Sequence, residues 1–170
     1  YSALSVFNPI LLRSLTLGYL MGLFRNRPLV RRGGIIIAYN PGMEKFHPFH
    51  HPSYVDFWNR DLAEFYDPQT CWNELAEPYA ENPKYLRLYQ DGFAYHGTHC
   101  LMNWMWSGMC MEHVGSVILA GAKNPAAADK IGFRPARDLP SALSMAKEAA
   151  GRHAQVTYQF IPPLFCIDLQ

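Results

Sequence analysis

Five of the seven histidines in this 170-residue chain fall in two short runs, FHPFHHPSY at residues 46–54 and YHGTHCLMNWMWSG at residues 95–108. An imidazole can ligate a metal, move a proton, or donate and accept hydrogen bonds near neutral pH. A helical zinc site needs H-x-x-x-H or H-E-x-x-H on a helix, which turns two imidazoles to one face; H-E-x-x-H is absent, and the one H-x-x-x-H spacing, His47 to His51, contains Pro48 and does not read as a helix. His47, His50 and His51 sit in a Pro-punctuated segment instead, where the adjacent His50 and His51 point apart. Metal ligation is therefore the lesser reading of this trio. The stronger one is a loop on the rim of a ligand cleft, with Tyr54 beside it; the plain alternative is that the histidines only tether the loop.

The second run places His96 and His99 three apart, next to Gly97 and ahead of Trp104 and Trp106. Such a bend supplies the apolar wall and polar handle of a small-molecule pocket. Against this, aromatic residues make up 14% of the chain, and most belong in a core. Other chemistry is not written here: no G-x-G-x-x-G, Walker loop or G-x-S-x-G elbow is found, and the four cysteines have no C-x-x-C spacing and no neighbouring charge to activate them. Asp56, Asp61, Glu64 and Glu74 stand at helical spacing and read as solvated faces.

The elements that must position these residues can be read from punctuation and period. Asn8-Pro9 opens an apolar helix that extends to Phe24, Asn capping and Pro losing no hydrogen bond at the first helical position. Gly33-Gly34 precedes a β-branched strand, Ile35 to Tyr39, followed by the histidine loop from Asn40 to Pro52. Ser53 and Asp56 resemble a capping box opening a helix through Val55, Trp58, Leu62 and Phe65. Helical pieces follow over 67–81 and 82–91, broken by Pro68, Pro78 and Pro83, then a helix over Leu101 to Met111. Gly115 to Gly121 is a second buried strand, Asn124 to Gly132 a helical turn, Leu139 to Gly151 a helix, and 154–163 a last strand with Val156, Tyr158 and Phe160 in alternation. This order predicts an α/β fold: a mainly parallel sheet flanked by helices in three layers, with a helical insert rich in histidine and aromatics between Met43 and His113. Ligands of such sheets gather beyond the carboxyl ends of the strands, where the histidine loop leaves β-structure.

Length and composition limit the rest. A chain of 170 residues with 49% hydrophobic residues predicts one domain, residues 1–170. A net charge of +1 with scattered Lys and Arg gives no field for a nucleic acid backbone. Pro9 to Phe24, the most apolar stretch, is short for a membrane span and carries Arg13. No cleavable signal is apparent, so a cytoplasmic setting is expected. The chain opens at Tyr1 directly before an apolar helix, as expected of part of a longer protein.

Val114 to Gly151, VGSVILAGAKNPAAADKIGFRPARDLPSALSMAKEAAG, resembles the C-terminal domain of the lactate racemase (LarA-like) family of nickel-dependent 2-hydroxyacid racemases and epimerases. The shared features are a buried strand, Val117 to Ala120; a short helix, Asn124 to Lys130; the Gly132-Phe133 step; and the helix containing Ser141-Ala142-Leu143 through Ala146. Leu29 to Ala38 is similar to the family's step through a Gly-Gly pair into a strand. The resemblance implies the second domain of a two-domain isomerase, with a nickel pincer nucleotide and two reacting histidines in the preceding N-terminal domain, and a cleft for a 2-hydroxyacid between them. It implies no catalytic residue and no metal ligand in this chain, and substrate-positioning roles at Asn8, Arg13 and Trp104; His96 and His99, which belong to the chain's own insert, join them as positioning groups in the enzyme reading. Phe7-Asn8 stands where the family has a Tyr-Gln pair, and Leu11 where it has a lysine, with Arg13 the nearest cation. Because the planar guanidinium is no simple substitute for an ammonium, a substrate other than lactate is expected. The alternative is a noncatalytic α/β domain whose histidine loop binds a partner or a structural metal.

Overall fold

The computed structural model describes residues 7–20, 28, 30–151 and 153–158. Two compact units are formed, one from Tyr1–Ser14 with Glu44–Met109 and the other from Leu15–Met43 with Cys110–Gln170. The division follows from chain order: the backbone leaves the sheet after its first strand and re-enters it at the second, so the intervening helical insert packs on itself.

The sheet unit holds β1 (Ile35–Tyr39), β2 (Ser116–Ala120) and β3 (Arg134–Ala136), all parallel in the order β1-β2-β3. Ile36 pairs with Val117 and Ile37 with Ile118. On one face Ile118, Ala120 and Ala136 meet Ala142 of the helix Leu139–Ala150, with Ile35, Ile37, Met145 and Ala146 around them. Positions two apart on the strands and three or four apart on the helix supply this contact, as the two periods require. Ile36, Val117 and Leu119 on the opposite face are also buried, so the strands read as continuous apolar runs. Full burial of a side chain such as Ile118 is worth about 2–3 kcal/mol. The chain is thus α/β with a parallel sheet flanked by helices.

Seven α-helices occur among the described residues: α1 (Pro9–Leu20), α2 (Pro52–Asp56), α3 (Pro68–Ala80), α4 (Pro83–Asp91), α5 (His99–Met111), α6 (Pro125–Lys130) and α7 (Leu139–Ala150). Five begin with an Asx side chain accepting from a backbone N–H one turn in: Asn8 from Ile10 and Leu11, Asp67 from Thr70, Asn82 from Lys84, Asn124 from Ala127 and Asp138 from Ser141. A proline then occupies the first or second helical position, where its missing N–H costs nothing. Pro68 and Pro83 therefore start helices rather than break them, and α3 runs through Pro78 almost to its end.

Four further expectations are corrected. The helix after the histidine loop begins at Pro52, with His51 rather than Ser53 at its cap and no side-chain capping bond. It passes at Phe57–Asp61 into a π-helical turn in which Leu62 N–H reaches back to Phe57 O at 2.8 Å, a widening that turns Phe57, Trp58 and Asp61 inward. Asp61 is thus buried, accepting from Tyr79 Oη and from Arg60, and is no solvated carboxylate. Finally, β3 was not anticipated, and residues 154–158 of the strand expected at 154–163 are irregular, with Val156 and Tyr158 exposed; 159–163 lie outside the described residues, as does the stretch 21–24 of the first predicted helix. Gly132, at φ 77°, makes the left-handed turn that delivers α6 into β3, a conformation costly for any side chain.

Candidate functional site

Tyr95 brings the two histidine runs together in the helical unit. Its N–H donates to His50 O at 3.0 Å. Its ring packs against His51, with centroids 5.4 Å apart and planes 21° apart, and against His99 at 4.5 Å and 32°. His47 and His50 stack at 4.1 Å, and Tyr54 meets His51 at 5.1 Å and His99 at 5.8 Å. The segment from His96 approaches so closely because residue 97 is glycine: a Cβ there would lie 2.1 Å from Tyr79 O.

The hydrogen bonds fix which ring nitrogens carry protons. Asn8 spends Oδ1 on the N–H groups of Ile10 and Leu11, so its Nδ2 faces His51 Nδ1 at 3.1 Å as donor. His47 N–H also donates to His51 Nδ1, at 3.0 Å. A nitrogen accepting two bonds has no proton, which leaves the proton of neutral His51 on Nε2. His47 Nδ1 accepts from the N–H groups of Phe49 and His50, both at 3.2 Å, and His96 Nδ1 meets Thr98 Oγ1 at 2.9 Å and Thr98 N–H at 3.3 Å. Each ring is held by Nδ1 with its Nε2–H left as a donor; none of these Nε2 atoms has a hydrogen-bond partner among the described residues or is among the sealed polar atoms.

Behind His99 lies a second set of bonds. Asn103 Nδ2 donates to His99 O at 2.8 Å and to Tyr54 Oη at 3.1 Å, while its Oδ1 accepts from Ser14 Oγ at 2.6 Å. Tyr54 Oη lies 2.6 Å from His99 Nδ1. Burial, then the nearby Cys100 and Tyr95, pushes the Tyr54 phenol well above its ordinary range. Burial, then His47, His50 and His99, brings His51 down to about 4; burial, then His96, also lowers His99. Both rings are neutral near pH 7.

The sequence-predicted residues divide accordingly. His47, His50, His96 and His99 are half-buried around Tyr95. His51 and Tyr54 are no rim residues: they are 1% and 0% exposed, because the Asn8 amide and the Asn103 relay draw them inward. Asn8 and Arg13 are buried as well, and Trp104 is 0% exposed, its indole N–H donating to Tyr66 O at 2.9 Å and its ring covered by the Arg13 guanidinium at 3.6 Å. Asn8, Arg13 and Trp104 thus build the wall behind the site rather than a surface that touches a substrate. Tyr95, Asn103 and Ser14 were not singled out; the one signal for Tyr95 and Asn103 was their place inside the second run, Tyr95 at its head beside His96. At the edge stand exposed rings, Tyr89 against His96 at 5.2 Å and Phe49 against His47 at 6.0 Å, and Phe93, 87% exposed, takes φ 58° at the end of α4.

These side chains do not fit a metal ion. A histidine ligating through Nε2 carries its proton on Nδ1 and needs an acceptor there, whereas Nδ1 of His47 and His51 faces only donors. No group of three His, Cys, Asp or Glu among the described residues is arranged to hold one. The buried Cys71 and Cys100 thiols are pushed up by burial, Cys71 to about 12, and are inert at neutral pH. No described helix is long and apolar enough to cross a membrane. No family model, curated protein or solved structure matches the chain.

Proposed function

We propose that this chain is the substrate-cleft domain of a two-domain, cytoplasmic 2-hydroxyacid racemase or epimerase of the LarA-like kind, its nickel pincer nucleotide carried by the preceding domain. The observation that carries the reading is the cluster around Tyr95, in which neutral imidazoles are anchored by Nδ1 and offer Nε2–H. Such donors bind and orient a carboxylate or hydroxyl oxygen without adding a charge that must be desolvated. The reaction class rests on the resemblance of Val114 to Gly151, whose strand, short helix, Gly-Phe step and long helix fold in the order it implies. Function argued from a fold is an analogy, so the test is chemical. The intact protein, made together with the cofactor-synthesis enzymes, should contain nickel and exchange the α-hydrogen of a 2-hydroxyacid with solvent deuterium. A preparation without nickel overturns the reading.

A second reading, a noncatalytic ligand-binding domain, is favoured by the burial of Trp104 and Arg13, which removes the contacts the resemblance implies for substrate. In that case the cluster binds a small anion with no exchange at its α-carbon.

A further inference from the structure

The geometry points to His99 as a fixed hydrogen-bond donor, through Nε2–H, to a carboxylate or carbonyl oxygen of a small ligand, with Tyr54, Asn103 and Ser14 acting as positioning residues that set its tautomer. The inference deepens the cleft-domain reading and takes only the ligand class from it.

The assignment follows from one main-chain carbonyl. His99 O lies 2.8 Å from the Asn103 side chain and can only accept, so the atom facing it is Nδ2. Oδ1 then faces Ser14 Oγ, which donates at 2.6 Å. The second Nδ2 proton goes to Tyr54 Oη, 3.1 Å away. With Asn103 turned this way, the Tyr54 proton has one acceptor in reach, His99 Nδ1 at 2.6 Å. Neutral His99 therefore carries its own proton on Nε2, and that atom has no partner among the described residues and is not sealed.

This excludes a role for His99 as a general base. A base needs a lone pair on Nε2, hence a proton on Nδ1, which would strand the Tyr54 hydroxyl proton inside the unit without an acceptor. Donation into Nδ1 also draws density from the ring and strengthens Nε2–H as a donor, an effect that hydrogen-bonded chains enhance. Burial, then His96, the neighbouring titratable group on the same segment, disfavours a charge on His99, so the ring meets a ligand oxygen as a neutral donor rather than as a cation.

The test uses the full 170-residue chain with 15N-labelled histidine. Long-range proton–nitrogen spectra near pH 7 should show His99 protonated on Nε2 and bare on Nδ1. Tyr54→Phe, which keeps the ring and removes the donor, should populate the other tautomer. Sodium glycolate, as the smallest 2-hydroxyacid probe, should shift the His99 Nε2 resonance. His99→Ala should weaken glycolate binding about tenfold, and His99→Gln, which keeps an N–H donor, by less than about threefold, the range expected for one hydrogen bond to a charged acceptor. A wild-type His99 protonated on Nδ1, or glycolate leaving His99 unshifted, overturns the inference. Missing nickel or missing α-hydrogen exchange would overturn the racemase reading alone.

Discussion

Asn8 Nδ2 lies 3.1 Å from His51 Nδ1 and ties the start of α1 to the histidine loop, 43 residues away. One amide does two tasks, its oxygen capping the helix and its nitrogen fixing an imidazole. Asn8→Ala should cost about 2–3 kcal/mol, the sum of a lost cap and a buried nitrogen deprived of one of its donors. Asn8→Asp keeps the cap but sets a carboxylate against Nδ1, so it should move the His51 proton to Nδ1 and raise its affinity for a second. Urea denaturation checks the first variant and histidine NMR titration the second.

The same burial makes stability depend on pH. His51 takes up no second proton in the folded state until about pH 4, whereas the unfolded chain takes one up near 6.5. Between these values the unfolded state binds more protons, so stability is complete above pH 6.5 and is lost as pH falls toward 4. At about 1.4 kcal/mol per unit the loss approaches roughly 3 kcal/mol, and His99, shifted the same way, adds to it. His51→Gln should remove about one proton from the slope of unfolding free energy against pH. An unchanged slope would show that His51 is not the group responsible. The neighbouring His50 is half-buried, and neither of its ring nitrogens is hydrogen-bonded among the described residues, so His50→Ala should change stability by under about 0.5 kcal/mol.

Phe93 holds the left-handed position after α4 although Gly92 precedes it at φ −123°. The backbone cost of about 1–2 kcal/mol is offset by no burial, since the ring is 87% exposed. Phe93→Gly should therefore raise the unfolding free energy by about 0.5–1 kcal/mol after the extra chain entropy of glycine is counted. If glycolate affinity falls in the same variant, the exposed ring is kept for binding.

Gly97→Ala should do the opposite. The added methyl would meet Tyr79 O at 2.1 Å and Tyr85 Cδ2 at 3.0 Å, forcing the His96–His99 segment away from α3. A loss of about 3 kcal/mol by thermal or urea unfolding is expected, together with a change in the His99 ring resonances.

What could be read in advance followed local physics. The Asn8-Pro9 cap, the strands at Ile35 and Ser116 and the end of α7 at Gly151 each depend on residues within a turn of one another. Pro68 and Pro83 were read as breaks although Asp67-Pro68 and Asn82-Pro83 carry the same Asx-Pro start signal as Asn8-Pro9, and the bounds expected for their helices, 67–81 and 82–91, agree with α3 and α4. The strand at Arg134–Ala136 was invisible, having three residues, one of them Pro135, and no period. The site was half legible: His96 and His99 were found by their spacing, but the inward turn of His51 and Tyr54 is set by Asn8 and Asn103, 43 and 49 positions away, and no local pattern carries such partners. The described part of the expected last strand, 154–158, is irregular because alternation in Val156 and Tyr158 specifies a face only where a neighbour covers it.

Pro135 bears on how the molecule keeps apart from its copies. Ala136 O accepts from Gly121 N–H, so the residue before it in β3 turns its amide position away from β2, and at that position there is no hydrogen to give. Among the described strands β3 lies on the sheet margin, and a stranger's backbone laid along it would find the middle rung missing. A three-residue margin without its central donor is a poor template for fibrils, so replacing Pro135 by valine would be expected to make the chain clump when it is concentrated.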